Sequence, residues 1–286
     1  MIRLFILMFL ASACGGSVVE GLGCPTAFIF VPRNSNYVEE AFCVAQFEMK
    51  NDGAGVAVSQ AAGQPWASIN RANAITECQN LGTGYDLITN AQWQTIARNI
   101  EAQAQNWSSN QVGLGFLNEG HSDASPGATL AITDETDPFN GTGQTNGDQK
   151  RTHVLSNNQT IWDFSGNVWE WVKDDNATNY GVDAFFYQIS DITHPNSGTL
   201  NDGVSRRTKN QFGPLGDYAS LSATPYGHLG RAFIASVGGG VVRGGSYIDY
   251  ATNAATNEEG GIFSVNTQYS VLATEARIGY RCVYQP

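Results

Sequence analysis

Charge is scarce in this chain. Only 14% of its 286 residues are Asp, Glu, Lys or Arg, and the basic ones are outnumbered 26 to 15. The resulting net charge of -11 argues against a nucleic-acid backbone or an anionic membrane surface as a partner. It suits metal binding, neutral ligands or plain solubility. Histidine is rarer still: His121, His153, His194 and His228 make up the full set, no two closer than 32 positions, so no local spacing marks a metal site. There is no Cys-x-x-Cys and no Gly-x-Ser-x-Gly. Gly238-Gly239-Gly240 lacks the following Lys and Ser or Thr at a helix start that a phosphate-binding loop needs. No internal repeat, heptad run or interdomain linker is present.

The chain does hold the makings of a core. Hydrophobic residues reach 42%, with six Trp, eleven Tyr and fourteen Phe beside 32 Gly, a composition that fits a compact, loop-rich protein with aromatic anchors. At the start, Arg3 and the apolar run Leu4–Leu10 precede Ala11-Ser12-Ala13. That run is too short for an ordinary membrane span, and the order matches an export signal over residues 1–13. Cys14 follows at the position of a bacterial lipoprotein's acylated cysteine, with 14–23 as its tether, although Ala11 stands where Leu is usual. Export to the cell envelope with lipid on Cys14 is the expectation, and ordinary secretion is the alternative. An unpaired thiol in an oxidising compartment favours the lipid.

Four further cysteines, Cys24, Cys43, Cys78 and Cys282, imply two disulfides in an exported chain, with three connectivities open. Strands are predicted at 27–32 and 42–49, the second from its alternation. A first helix should be capped by Ser68, carry Ile69, Ala72, Ile75, Cys78 and Leu81 on its apolar side and stop at Gly82. A second should begin after Thr89 or Asn90 and bury Trp93, Ile96, Ala97 and Ile100. His153–Leu155 and Thr160–Trp162 flank Ser156-Asn157-Asn158 as a candidate hairpin. Residues 174–233 hold few regular patterns.

The most informative stretch is Asp163-Phe164-Ser165-Gly166-Asn167-Val168-Trp169-Glu170-Trp171. Asp163 and Glu170 are seven residues apart, so on a strand they point to opposite faces and along a helix they stand two turns apart. For them to meet the chain must wrap, and Gly166 is a place to turn. Carboxylates at both ends of a wrap, with carbonyls between, are the usual makings of a calcium site. The competing reading has the tryptophans in the core and Glu170 in a salt bridge, with no metal.

Arg243-Gly244-Gly245-Ser246-Tyr247 and Ile278-Gly279-Tyr280-Arg281-Cys282 answer this stretch further along. In this order and near this spacing, the three pieces resemble the formylglycine-generating enzyme (sulfatase-modifying factor) superfamily, whose fold is related to C-type lectins. The resemblance covers about 24–284. It implies one domain over 24–286 of α+β class, with two helices on small antiparallel sheets and much irregular loop.

The same resemblance implies a structural calcium held by the side chains of Asp163 and Glu170 and the carbonyls of Gly166 and Val168. It implies a Cys78–Cys282 bridge, which leaves Cys24 with Cys43. The superfamily's copper-binding cysteine pair falls at Asp249 and Ala254. A carboxylate and a methyl group cannot replace two soft thiolates, and the His-rich module of the superfamily's iron enzymes has no counterpart here. The expectation is therefore a pseudoenzyme: a non-catalytic module binding a glycan, peptide or protein ligand, with membrane contact only through the N-terminal lipid. An enzyme using other residues on the same scaffold, or an accessory to one, is the alternative. The ligand face implied lies after Ser246, with Tyr247, Asp249, Tyr250, Asn253 and Asn257. Aromatic and amide groups of this kind suit stacking on and hydrogen bonding to sugars or peptides. A plain polar surface loop is the competing reading.

Overall fold

The structure is a computed structural model that describes residues 23–38, 40–175, 185–188, 212–216, 228–234, 239–248 and 260–286. The export signal, Cys14, His194, Asp249, Tyr250, Asn253, Ala254 and Asn257 lie outside the described residues.

In chain order, β1 (Phe28–Val31), β2 (Phe42–Ala45), β3 (Met49–Asn51) and β4 (Ala57–Ser59) lead to α1 (Arg71–Gln79), β5 (Tyr85–Leu87) and α2 (Asn90–Glu101). Strands β6 (Thr152–Val154), β7 (Thr160–Trp162), β8 (Trp169–Asp175), β9 (Phe185–Gln188) and β10 (Arg231–Ile234) follow. The last four are β11 (Gly240–Arg243), β12 (Val265–Asn266), β13 (Ile278–Tyr280) and β14 (Cys282–Tyr284). A four-stranded sheet runs β1-β2-β14-β5 and a six-stranded one β13-β8-β11-β12-β10-β9, while β3-β4 and β6-β7 are separate hairpins. The predicted strand over 42–49 is thus split between β2 and β3.

The six-stranded sheet is mixed rather than antiparallel throughout. Strand β13 pairs with β8 in parallel, as β10 does with β12, since long connections bring the later strand back in the same direction.

Helix α2 matches its sequence signals. Thr89 accepts from the Gln92 amide, and the Gln92 side chain accepts from the Thr89 amide, which closes a capping box. Trp93, Ile96, Ala97 and Ile100 are all fully buried. Helix α1 departs from expectation at both ends. Its cap is Asn70, whose side chain accepts from the Asn73 amide, and it ends at Asn80. Ser68 instead takes a left-handed φ of 57° and donates its amide to Glu275. The buried residues are Ala74 and Cys78, while Ala72 is exposed. Ile69 and Cys78 are buried in one cluster, with Ile75 and Leu81 packed against it, so only Ala72 of the expected series departs; a strict threefold series slips about 60° around the helix per step and cannot keep every member on one face. Positions four apart stay closer together.

Both disulfides form as the resemblance implied. Cys24 joins Cys43 with Cα atoms 5.6 Å apart, and Cys78 joins Cys282 at 5.4 Å. The second ties α1 to β14, inside a cluster that also holds Trp169, Trp171, Val242, Ile278 and Tyr280. Along β8 the side chains alternate: Trp169 and Trp171 face this cluster, whereas Val172 joins the one around Trp93, Phe164 and Ile262.

Candidate ligand face and its supports

The segment 163–168 wraps as its sequence requires. Asp163, Gly166 and Asn167 all have left-handed φ values, of 51°, 74° and 60°. Gly166 has no alternative there, because a Cβ would sit 2.5 Å from the His121 carbonyl oxygen and 2.8 Å from that of Glu119.

What the wrap holds differs from the calcium expectation. Arg151 donates Nε to Asp163 Oδ1 at 2.7 Å and Nη2 to Oδ2 at 2.6 Å. Arg281 donates Nη2 to Glu170 Oε1 at 2.6 Å, and its Nε lies 3.1 Å from both carboxylate oxygens. Each carboxylate is therefore already met by a planar guanidinium in two-point geometry. The donor set does not fit a calcium ion, whose binding would have to displace both cations from a site where all four side chains are buried. The repulsion expected between Asp163 and Glu170 is cancelled by arginine instead. Arg281 also donates to the carbonyls of Ala45, Trp162 and Asp163, which pins the start of the wrap to its end. Burial pushes the Glu170 carboxyl up from its ordinary value, and Arg281 works against that shift.

A third carboxylate joins them. Glu48 accepts from Asn167 Nδ2 at 2.6 Å and from the Val168 amide at 3.3 Å, with Lys50 Nζ 3.7 Å away. Burial first, then the nearby Asp163 charge, pushes Glu48 up to about 8. Burial likewise lowers Lys50. The sequence offered no sign of this, since Glu48 lies more than 100 positions from Asn167 and Val168.

Above this base, β11 delivers the second motif. Arg243 is buried, donating to the Ser264 carbonyl at 2.9 Å and to the Asn90 side chain, with its guanidinium over Trp93 and Phe212. Gly244, at a φ of 93°, lets the chain pass within van der Waals reach of Trp93, which stacks on Phe164 at 3.9 Å. The chain then surfaces. Tyr247 is half-buried; its amide donates to Asn167 and its carbonyl accepts from Ala124. Its ring stacks on His121, with centroids 5.9 Å apart and planes 10° from parallel. Ile248 beyond it is 39% exposed. Of the five expected ligand residues, Tyr247 is thus half-buried beside His121, and the other four lie outside the described residues.

Gly260 packs tightly on another loop, where a Cβ would lie 2.7 Å from the Ser122 Cβ. Ser122 donates to Glu119 Oε2 at 3.1 Å, and its amide donates to Gln149. Glu119 Oε1 lies 2.8 Å from His228 Nδ1, which is 3.5 Å from Asp148 Oδ2. Glu119 and Asp148 lie 29 positions apart in the long connection before β6 and His228 just before β10, so no spacing in the sequence announced them.

Residues 30–286 match the sulfatase-modifying factor enzyme 1-like domain. The chain belongs to that family. Its fold is C-type-lectin-like, with two helices packed on small sheets. In structure the chain is similar to Treponema denticola variable protein 1, at 14% identity and a TM-score of 0.40 over 91% of this chain and 92% of that one. It is also similar to the Major Tropism Determinant U1 variant, at 14% identity and a TM-score of 0.43. For the I1 variant the values are 13% and 0.41. The chain spans about half the length of these two, 54% and 53%, and they match 93% and 92% of it. No curated protein matches the chain significantly.

Within this sulfatase-modifying-factor-like domain the histidines divide by role. His153 is fully buried, and its Nε2 lies 2.9 Å from the Asn118 carbonyl. A carbonyl only accepts, so Nε2 carries the proton. Burial holds this imidazole down to about 4, and burial likewise lowers His121. The sign follows from proton counting. Between about 6.5 and 4 the unfolded chain binds a proton on His153 that the folded one refuses. His153 therefore contributes fully above pH 6.5, and that contribution is lost as the pH falls toward 4. The upper figure for this loss is about 3 kcal/mol. Urea unfolding at pH 4.5 and 7 should show a smaller acid loss for His153→Gln than for the wild type; equal losses would refute the assignment.

Proposed function

We propose that this family member is an exported, lipid-anchored module that binds a glycan, peptide or protein ligand on the face rimmed by Tyr247, and that it is not a copper oxidase. The observation that carries the reading is the state of the cysteines. Four of the chain's five cysteines are used up in Cys24–Cys43 and Cys78–Cys282, and the fifth, Cys14, is the proposed lipid site. Formylglycine formation needs a pair of thiolates on copper, and Asp249 and Ala254 stand in their place with one hard oxygen between them. The stacked Tyr247–His121 pair beside a segment rich in Asn, Tyr and Glu supports ligand binding, because flat rings and amides contact sugars and peptides with little ordering cost. Calcium at 163–170 is not part of this proposal, since both carboxylates there are met by arginine.

The test uses the mature protein on a glycan and peptide array, followed by titration of any hit. Tyr247→Ala and Asp249→Ala should each weaken the hit about tenfold, a loss of about 1.4 kcal/mol, without changing the melting temperature. A hit unaffected by both changes would remove the face from the proposal. Incubation with a cysteine-containing sulfatase peptide and Cu(I) should give no aldehyde by mass spectrometry, and turnover would overturn the non-catalytic half. Intact mass of the envelope fraction should show acyl groups on Cys14; an unmodified N-terminus would remove the anchor.

A further inference from the structure

We propose that Glu119, Asp148 and His228 form a binding site for a borderline divalent cation such as Zn2+, at the foot of the ligand face. Three protein ligands converge: one atom from each residue, His228 Nδ1 and two carboxylate oxygens, all within 4.8 Å of one another. One imidazole nitrogen with two carboxylates is a donor set that suits zinc or cobalt better than calcium, which takes six or more oxygens.

A second observation points to a ligand. Glu119 is 3% exposed, and its Oε1 accepts no hydrogen bond of sound geometry among the described residues, although His228 Nδ1 is 2.8 Å away. A buried carboxylate oxygen left this way is costly, and a cation would satisfy it directly. The rest of the carboxylate is fixed. Oε2 accepts from Ser122, the Glu119 amide donates to the Asp148 carbonyl, and the Glu119 carbonyl accepts from Ser165 at 2.7 Å. These bonds hold Oε1 on the side of His228 and tie the Asp148 loop to it.

Two of the three ligand spacings lie near what the ion needs. Tetrahedral zinc with bonds near 2.0–2.1 Å sets its ligand atoms about 3.3 Å apart. His228 Nδ1 and Asp148 Oδ2 already stand at 3.5 Å, and the 2.8 Å pair needs to open by about 0.5 Å to match that spacing. Three protein ligands leave a fourth position for water or for a donor atom of a bound molecule. Gly260 closes over Ser122 and Glu119, so an ion here would also brace the backbone at Gly260.

The experiment is a titration of the chelator-treated, full mature protein with ZnCl2 against a chromophoric competitor, repeated with CoCl2 for its visible absorption. About one ion per chain is expected, with Co2+ bands of a four- or five-coordinate site. Asp148→Asn and Glu119→Gln should each weaken Zn2+ binding about tenfold or more. Asp148 is partly exposed, so its variant tests the site even if the buried Glu119 change impairs folding. Millimolar Ca2+ should not displace the ion. The proposal is overturned by no stoichiometric binding, by unchanged affinity in Asp148→Asn, or by displacement with Ca2+. None of these outcomes bears on the array result, so this inference and the proposed function fail separately.

Discussion

Replacing Arg281 by methionine is expected to lower the stability of the fold by about 3–5 kcal/mol, the cost of leaving a buried charge without its partner. Arg281 has no exposed surface, and it answers Glu170 as well as three carbonyls from β2 and the 162–163 turn. Removing it strands all of these. Against a typical total of about 5–15 kcal/mol, that is a large share. Combining it with Glu170→Leu should recover much of the loss, because an apolar pair avoids the desolvation that the ion pair must overcome. Urea denaturation followed by tryptophan fluorescence measures both. A single change costing under about 1 kcal/mol would show that the pair is not buried as described.

The second large effect belongs to the bridge between Cys78 and Cys282. It closes a loop of 204 residues, for which chain entropy gives about 5 kcal/mol, against about 3 for the 19-residue loop of Cys24–Cys43. Both figures are upper bounds, since residual order in the unfolded chain reduces them. Alanine at Cys78 and Cys282 should thus depress the melting temperature more than alanine at Cys24 and Cys43. The reverse order would mean that the unfolded chain already keeps α1 near β14. Non-reducing peptide maps should recover these two pairs, and a crossed pair would contradict the topology.

Local features were legible in the sequence to the extent that their causes were local. The start of α2 after Thr89, the turn at Ser156-Asn157-Asn158 and the wrap at Gly166 each depend on residues a few positions apart. The paired cysteines were readable through the family pattern. The role of Asp163 and Glu170 was not. Their partners lie 12 and 111 positions away, at Arg151 and Arg281, and a carboxylate looks the same whether a metal or a guanidinium will meet it. The threefold apolar series of α1 held except at Ala72, which is small enough to face water at little cost. His228 was passed over because it is 109 positions from Glu119, and only the closed fold brings the two together.

The order β1-β2-β14-β5 has a consequence for how the chain folds. Its third member comes from Cys282–Tyr284, so β2 and β5 face an empty lane until that distant strand docks between them. Until then the chain presents two open strand edges to its neighbours. Throughout that interval Cys78 also lacks its partner, while Cys24 and Cys43 are already available for exchange. Docking of β14 is therefore the event that commits the molecule. Deleting Cys282–Tyr284 would be expected to yield insoluble, wrongly crosslinked material rather than a slightly shortened protein.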